Sequence, residues 1–135
     1  MKYLICLTFL ILSVFAYSQE KDSDTRYQHI FSQCPASLAG KSGDGDSLSI
    51  KELLADPIVR SIKCIGYTIT SFEIAVAAEG STVQMSSNND HISNAAFDLL
   101  KKLKRGDHII IENVHYKLSD GKAGTMRGMN LIVKN

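Results

Sequence analysis

Residues 63–87 read KCIGYTITSFEIAVAAEGSTVQMSS, and their composition decides the fold class. From Lys63 to Ala77 the stretch is rich in β-branched and aromatic side chains, which suit a pleated, half-buried surface and predict a long strand. Period-two alternation puts Thr68, Thr70, Phe72, Ile74 and Val76 on one face and Ile69 on the other. Glu79-Gly80 is turn chemistry, and Ser81 to Ser87 reads as a second strand, so the whole stretch predicts a β-hairpin.

Working towards the C-terminus, Asn88-Asn89-Asp90 marks a turn, after which Ser93 caps a helix carrying Ala96, Leu99, Leu100 and Leu103 at helical spacing. Lys101, Lys102, Lys104 and Arg105 crowd its predicted last turns, where cations complement the helix dipole, and Gly106 ends it. His108 to Leu118 is a third long strand. Its unbroken Ile109-Ile110-Ile111 run violates alternation, and a bulge near Glu112-Asn113 that returns Val114 to the core face would reconcile it. A loop with Asp120-Gly121 precedes a last strand on which Met129, Leu131 and Val133 alternate.

Towards the N-terminus, Pro57 stops a short helix that begins with the capping box Ser49-Ile50-Lys51-Glu52 and presents Ile50, Leu53 and Leu54 as its apolar face. Gly40 to Asp46 is a glycine-rich loop, and Cys34 to Ala39 reads as a short first strand. Strands outweigh helices and connections are short. The expected fold is mainly β, α+β at the margin: a β-sandwich-like domain with two short helices.

The N-terminus predicts export. Met1-Lys2 is followed by an apolar run from Tyr3 to Ala16, and Ala16-Tyr17-Ser18 offers small residues three apart before polar Gln19. This pattern is that of a cleavable signal peptide, residues 1–18, cut between Ser18 and Gln19. The run is shorter than the ~20 residues of a spanning helix, so no stable membrane insertion is expected after cleavage. Cys6 lies inside the run, which excludes lipidation as a first residue. Residues 19–34 read as a polar leader and 35–135 as one domain.

The chain has 135 residues, 44% hydrophobic and 21% charged. Lys2 is the one charge within the signal, so removing it leaves 14 basic against 14 acidic residues, a balance that argues against nucleic acid as a partner. Cys34 and Cys64 remain in a compartment where disulfides persist. Pairing them would close a ~30-residue loop and stabilise the fold by about 3–4 kcal/mol in the chain-entropy model. Two separately buried thiols are the alternative.

Motifs for chemistry come back empty. Gly40-Lys41-Ser42 ends like a phosphate loop, but Pro35 occupies the place of the upstream glycine. Asp44-Gly45-Asp46-Ser47 starts like a calcium loop, yet Ala55 stands where the closing glutamate belongs. Arg105-Gly106-Asp107 is explained by a helix end. His29, His91, His108 and His115 have no zinc spacing, and a regular strand would place His108 and His115 on opposite faces. No nucleophile elbow is present. The expectation is therefore a non-enzyme with no catalytic, cofactor or metal residues. Lys101, Lys102, Lys104 and Arg105 form a candidate docking patch for an acidic surface, beside the blander reading of a solvated helix end.

Several stretches in order carry a resemblance: Ala39 to Gly43 followed by Leu48 to Leu53, Ile69 to Phe72, Ser86 to Asn88, Lys104 to Val114, then Asp120-Gly121, Arg127 and Asn130 to Val133. Together they resemble the C-terminal domain family of the gliding-motility protein GldM of Bacteroidota, over residues 35–135. The resemblance implies an immunoglobulin-like β-sandwich in the periplasm, no catalytic residues and no cofactor. It also implies a protein partner in the cell envelope, beside the type IX secretion and gliding machinery. GldM itself has a membrane helix and further periplasmic domains ahead of this one. A cleaved signal and short leader in their place would leave a free periplasmic or secreted interaction module that cannot transmit motion from the inner membrane. The rival expectation is a periplasmic small-ligand or calcium-binding domain that uses the Gly40 to Asp46 loop.

Overall fold

The computed structural model describes residues 34–135. The predicted signal peptide and residues 19–33 of the leader lie outside them. The fold is mainly β, 49% strand and 13% helix, in two sheets with two short helices, consistent with a β-sandwich. In chain order the elements are β1 (Ser37–Leu38), β2 (Ser47–Leu48), α1 (Ile50–Ala55), β3 (Val59–Arg60), β4 (Tyr67–Ala78), β5 (Ser81–Ser87), α2 (Asn94–Leu100), β6 (His108–Leu118), β7 (Ala123–Met126) and β8 (Met129–Val133). The larger sheet runs β2-β8-β6-β4-β5, with β7 also paired to β6, and β1 with β3 makes a two-stranded ribbon. Among the described residues no helix is long and apolar enough to cross a membrane.

The hairpin forms as its sequence requires. Glu79 and Gly80 both take positive φ (50° and 78°), the mirror-image turn whose twist matches the flanking strands, and β4 pairs β5 regularly from Ala78↔Ser81 to Phe72↔Ser87. The expected bulge in β6 is also present. Asn113 adopts φ 49°, a left-handed conformation that Asn tolerates better than most residues, and Val114 returns to full burial.

A second bulge was not legible in the sequence. The β4–β6 register passes from Ile69↔Tyr116 to Ser71↔His115 and then to Glu73↔Glu112, so β4 carries an extra residue beside Thr70 just where β6 carries Asn113. The two insertions cancel, and Tyr67↔Leu118 and Ile74↔Ile111 belong to the same ladder. The consequence corrects the expected face assignment. Ile69 joins Phe72, Ile74 and Val76 in the core, while Thr68 and Thr70 are exposed. The β6 bulge likewise puts His108 and His115 on one face, not opposite faces, since the core face is Ile109, Ile111, Val114 and Tyr116.

Leu131, Met129 and Val133 of β8 complete the sheet's buried face. Over it pack Leu38, Leu48 and Val59 from the short strands, Leu53 from α1, and Ala96 with Leu100 from α2. The strands β1, β2, β3 and β7 have at most four residues each, too short to show periodicity. The long strand begins at Tyr67, and 63–66 is loop. In α1 only Leu53 is buried, and Leu54 is 42% exposed.

The capping box on α1 is complete: Ser49 N–H donates to Glu52 Oε2 (2.8 Å) and Glu52 N–H donates to Ser49 Oγ (3.1 Å). The Ser49 N–H bond to this carboxylate, a second from the Ser49 hydroxyl (2.9 Å) and Lys134 Nζ 3.2 Å away lower the Glu52 pKa from 4.5 to about 2. The folded value lies below the unfolded one, so the stabilisation is present above pH 4.5 and is lost as pH falls towards 2. Glu52→Gln is therefore expected to lower the melting temperature most above pH 4.5, the gap to wild type closing on acidification. Thermal unfolding across that range checks it; a gap independent of pH contradicts it.

Candidate interaction surface

Ser61 to Gly66 connects β3 to β4, and among the described residues it is the loop that exposes large apolar side chains, Ile62 and Ile65. At its start Ser61 is buried, its N–H donating to Tyr67 Oη while Tyr67 Oη donates back to the Ser61 carbonyl (3.1 Å). Ser37 Oγ donates to the Arg60 carbonyl (2.9 Å), fastening the ribbon beside it. In its middle, Cys64 is joined to Cys34 by a disulfide with Cα atoms 6.1 Å apart. Between these ties Ile62 is 58% and Ile65 92% exposed. An apolar side chain held out by a cross-linked loop has already lost the conformational freedom that binding would otherwise cost.

Two open clefts flank Tyr67 and Thr68 beside this loop. One, about 380 Å³, lies between Val59-Arg60 and Ile69, with Asp90 at its border; the other, about 450 Å³, lies between Gly66, Thr70 and Lys117. Arg60 is paired with Asp56 (2.5 Å) and Asp90 is hydrogen-bonded to the His91 imidazole (2.6 Å), so the rim is polar.

The predicted docking cations are placed differently from expectation. The helix α2 ends at Leu100, so Lys101 is its cap and Lys102, Lys104 and Arg105 lie in the turns beyond it. Gly106 has the expected positive φ (91°), but its N–H donates to the Val133 carbonyl (2.9 Å), joining the turn to β8 instead of closing the helix. Lys104 Nζ lies 2.6 Å from Glu79, whose hydrogen bond and charge raise the lysine's pKa, and Lys101 lies 3.6 Å from Asp98. Among the described residues Lys102 and Arg105 have no ion-pair partner, so the uncompensated part of the cluster is two cations, not four.

The two carboxylates of the glycine-rich loop hold the loop itself. Arg127 Nη2 donates to Asp44 Oδ2 (2.7 Å) and Asn130 N–H to Asp44 Oδ1 (3.0 Å), and these bonds lower the Asp44 pKa. Asp46 Oδ2 accepts from Gly43 N–H (2.8 Å). The side chains thus face different donors and do not converge on a shared ligand. Among the described residues no three His, Cys, Asp or Glu side chains gather as a metal site.

Strand register assembles one cluster that no motif announced. On the outward face of the sheet Glu73 sits opposite Glu112, Gln84 Nε2 donates to Glu73 Oε2 (2.7 Å), and Asn113 Nδ2 donates to the same oxygen (2.6 Å). Strand register alone makes Glu73, Gln84 and Glu112 neighbours, and Asn113, the bulged residue of β6, adds its amide to the same carboxylate.

The family model for the GldM C-terminal domain matches residues 47–134. The chain belongs to the GldM C-terminal domain family. No curated protein matches it. The matched region runs from β2 through β8 and includes Cys64 and the exposed isoleucines; β1 and Cys34 precede it. In this member of the GldM C-terminal domain family, the staple that fixes the apolar loop therefore has one cysteine inside the matched region and one ahead of it.

Proposed function

We propose that this protein is an exported, non-catalytic interaction module that binds a protein of the cell envelope, in association with the type IX secretion and gliding machinery. Family membership supports the setting. The observation that carries the mode of action is the Ser61 to Gly66 loop, where Ile62 and Ile65 project from a segment tied by the Cys34–Cys64 bond and by Tyr67. With 14 basic and 14 acidic residues after removal of Lys2, the mature chain gains little from long-range attraction, so short-range apolar fit governs binding. Burial of exposed anchors in a partner's pocket is the usual origin of most interface energy. The periplasm is the setting in which this reading places the chain.

Ile62→Asp combined with Ile65→Asp tests it. Both side chains are exposed, so stability is expected to change by no more than about 0.5 kcal/mol per site. Affinity for the envelope component captured by the wild-type chain is expected to fall at least about tenfold. Unchanged affinity removes the loop from the interface, and a wild-type chain that captures no envelope protein removes the module reading altogether.

A further inference from the structure

Strand β5 ends the larger sheet, and no strand pairs with its outer edge among the described residues. Such an edge exposes a row of unpaired N–H and C=O groups, which natural sheets usually blunt with a charge, a proline, a bulge or a short strand. None of these devices is present. The strand is seven residues long, its pairing to β4 has no register break, and Ser81 to Asn89 contains neither a charged residue nor proline. Ser81, Thr82, Val83, Gln84 and Ser86 are exposed.

The order of side chains identifies what fits this edge. Val83 and Met85 stand opposite buried Val76 and Ile74 and so lie on the core side of the sheet; Val83 is 45% exposed and Met85 half-buried. Thr82, Gln84 and Ser86 lie on the other side. About Gln84 the strand reads nearly the same in both directions: Ser, Thr, Val, Gln, Met, Ser, Ser. We propose that a second copy of this chain pairs with this edge, antiparallel, about a two-fold axis through Gln84. Val83 then meets Met85 of the second copy, Thr82 meets Ser86, and Gln84 meets its own equivalent. Apolar faces apolar on one side and hydroxyl faces hydroxyl on the other, the self-complementarity a two-fold interface requires.

The surroundings permit this approach. Gln84 leans inwards, its amide held by Glu73 (2.7 Å) and by Glu112 (3.4 Å), which keeps it off the edge. The nearest carboxylate on this face, Glu73, is on β4, so its counterpart in the second copy lies about three strand spacings away, roughly 14 Å, beyond the screening length at physiological salt. At the hairpin end Glu79 is paired with Lys104. The pairing joins the five-strand path of each copy into one continuous sheet.

Sedimentation velocity on the full exported chain over a range of concentrations tests the proposal, with a concentration-dependent dimer expected. Val83→Lys would set an ammonium group against Met85 of the second copy, and dimer affinity is expected to fall on the order of a hundredfold. Thr82→Lys is the second variant, on the opposite side of the sheet, should the first alter folding. Gln84→Cys reads the register directly. Residue 84 alone faces itself, so mild oxidation is expected to cross-link copies through it, while Ser81→Cys does not cross-link. A monomer at every concentration, a dimer indifferent to both lysine variants, or equal cross-linking at 81 and 84 overturns the proposal. The Ile62→Asp, Ile65→Asp chain is expected to dimerise normally, which separates this edge from the partner-binding loop.

Discussion

Gly128→Ala is expected to destabilise the domain by about 3 kcal/mol or more, a penalty at the upper end for adding one methyl group. Gly128 lies between β7 and β8, where the chain turns back against β6. A Cβ there would fall well inside van der Waals contact of the Ile111 carbonyl oxygen and 3.1 Å from Glu112 Cα. Both are backbone atoms of the central strand, adjacent to its bulge, and no rotamer change can move them aside. Interiors packed at crystal-like density transmit such a displacement instead of absorbing it. Gly124→Ala is the informative comparison. Its Cβ would meet the Tyr116 hydroxyl at 2.5 Å and Cζ at 2.7 Å, side-chain atoms that can shift, so the cost is expected to be smaller. Denaturant midpoints for the two variants check the order; a Gly128→Ala loss below about 1 kcal/mol would show that β6 yields more easily than its contacts imply.

The sequence carried those parts of the fold whose signal is local. Ser49 and Glu52 announced α1 because a capping box involves only four consecutive residues, and Glu79-Gly80 announced its hairpin because two left-handed residues in a row need that chemistry. The β6 bulge was legible because Ile109-Ile110-Ile111 followed by Val114 and Tyr116 cannot alternate without it. Its counterpart in β4 left no such trace. Thr68 and Thr70 are β-branched and fit either face, so a regular strand accounted for the sequence equally well; the extra residue is visible only once β4 is laid against β6. The helix at Ser93 was over-extended for a related reason. Leu103 continues the apolar spacing, but the chain has already left the helix at Leu100, and the turns beyond are fixed by Gly106 and Asp107 bonding to Val133.

The candidate surfaces were harder to anticipate because exposure is a tertiary property. Ile62 and Ile65 are ordinary isoleucines in the sequence, absorbed into the approach to a strand, and only burial of their neighbours Ser61 and Cys64's bond to Cys34 show that they are held outwards. The lysine cluster shows the converse. Its charge density is conspicuous in the sequence, yet Glu79, 25 residues before Lys104, neutralises one cation across space. Charge runs are read along the chain, whereas compensation occurs between strands and turns.

Removing the disulfide by Cys34→Ser with Cys64→Ser is expected to lower stability by about 3–4 kcal/mol, the loop-closure contribution for a 30-residue separation. A domain of this size has a total stability of only about 5–15 kcal/mol, so the loss is a large fraction and is expected to be readable as a shifted guanidinium midpoint. The slope of unfolding is expected to steepen, because the cross-link restricts the denatured chain. Beyond stability, the bond ties the loop that carries Ile62 and Ile65 to the start of the domain. Tyr67 continues to anchor Ser61 without it, so the loop's entrance stays fixed while the segment around residue 64 gains freedom. Partner affinity is therefore expected to fall in the serine variant at temperatures where the domain is still fully folded, and the Ile62→Asp, Ile65→Asp chain should show little additional loss when the bond is also removed. A serine variant that binds as tightly as wild type while folded would mean that the partner does not use the ordering of this loop, and that the disulfide acts on stability alone.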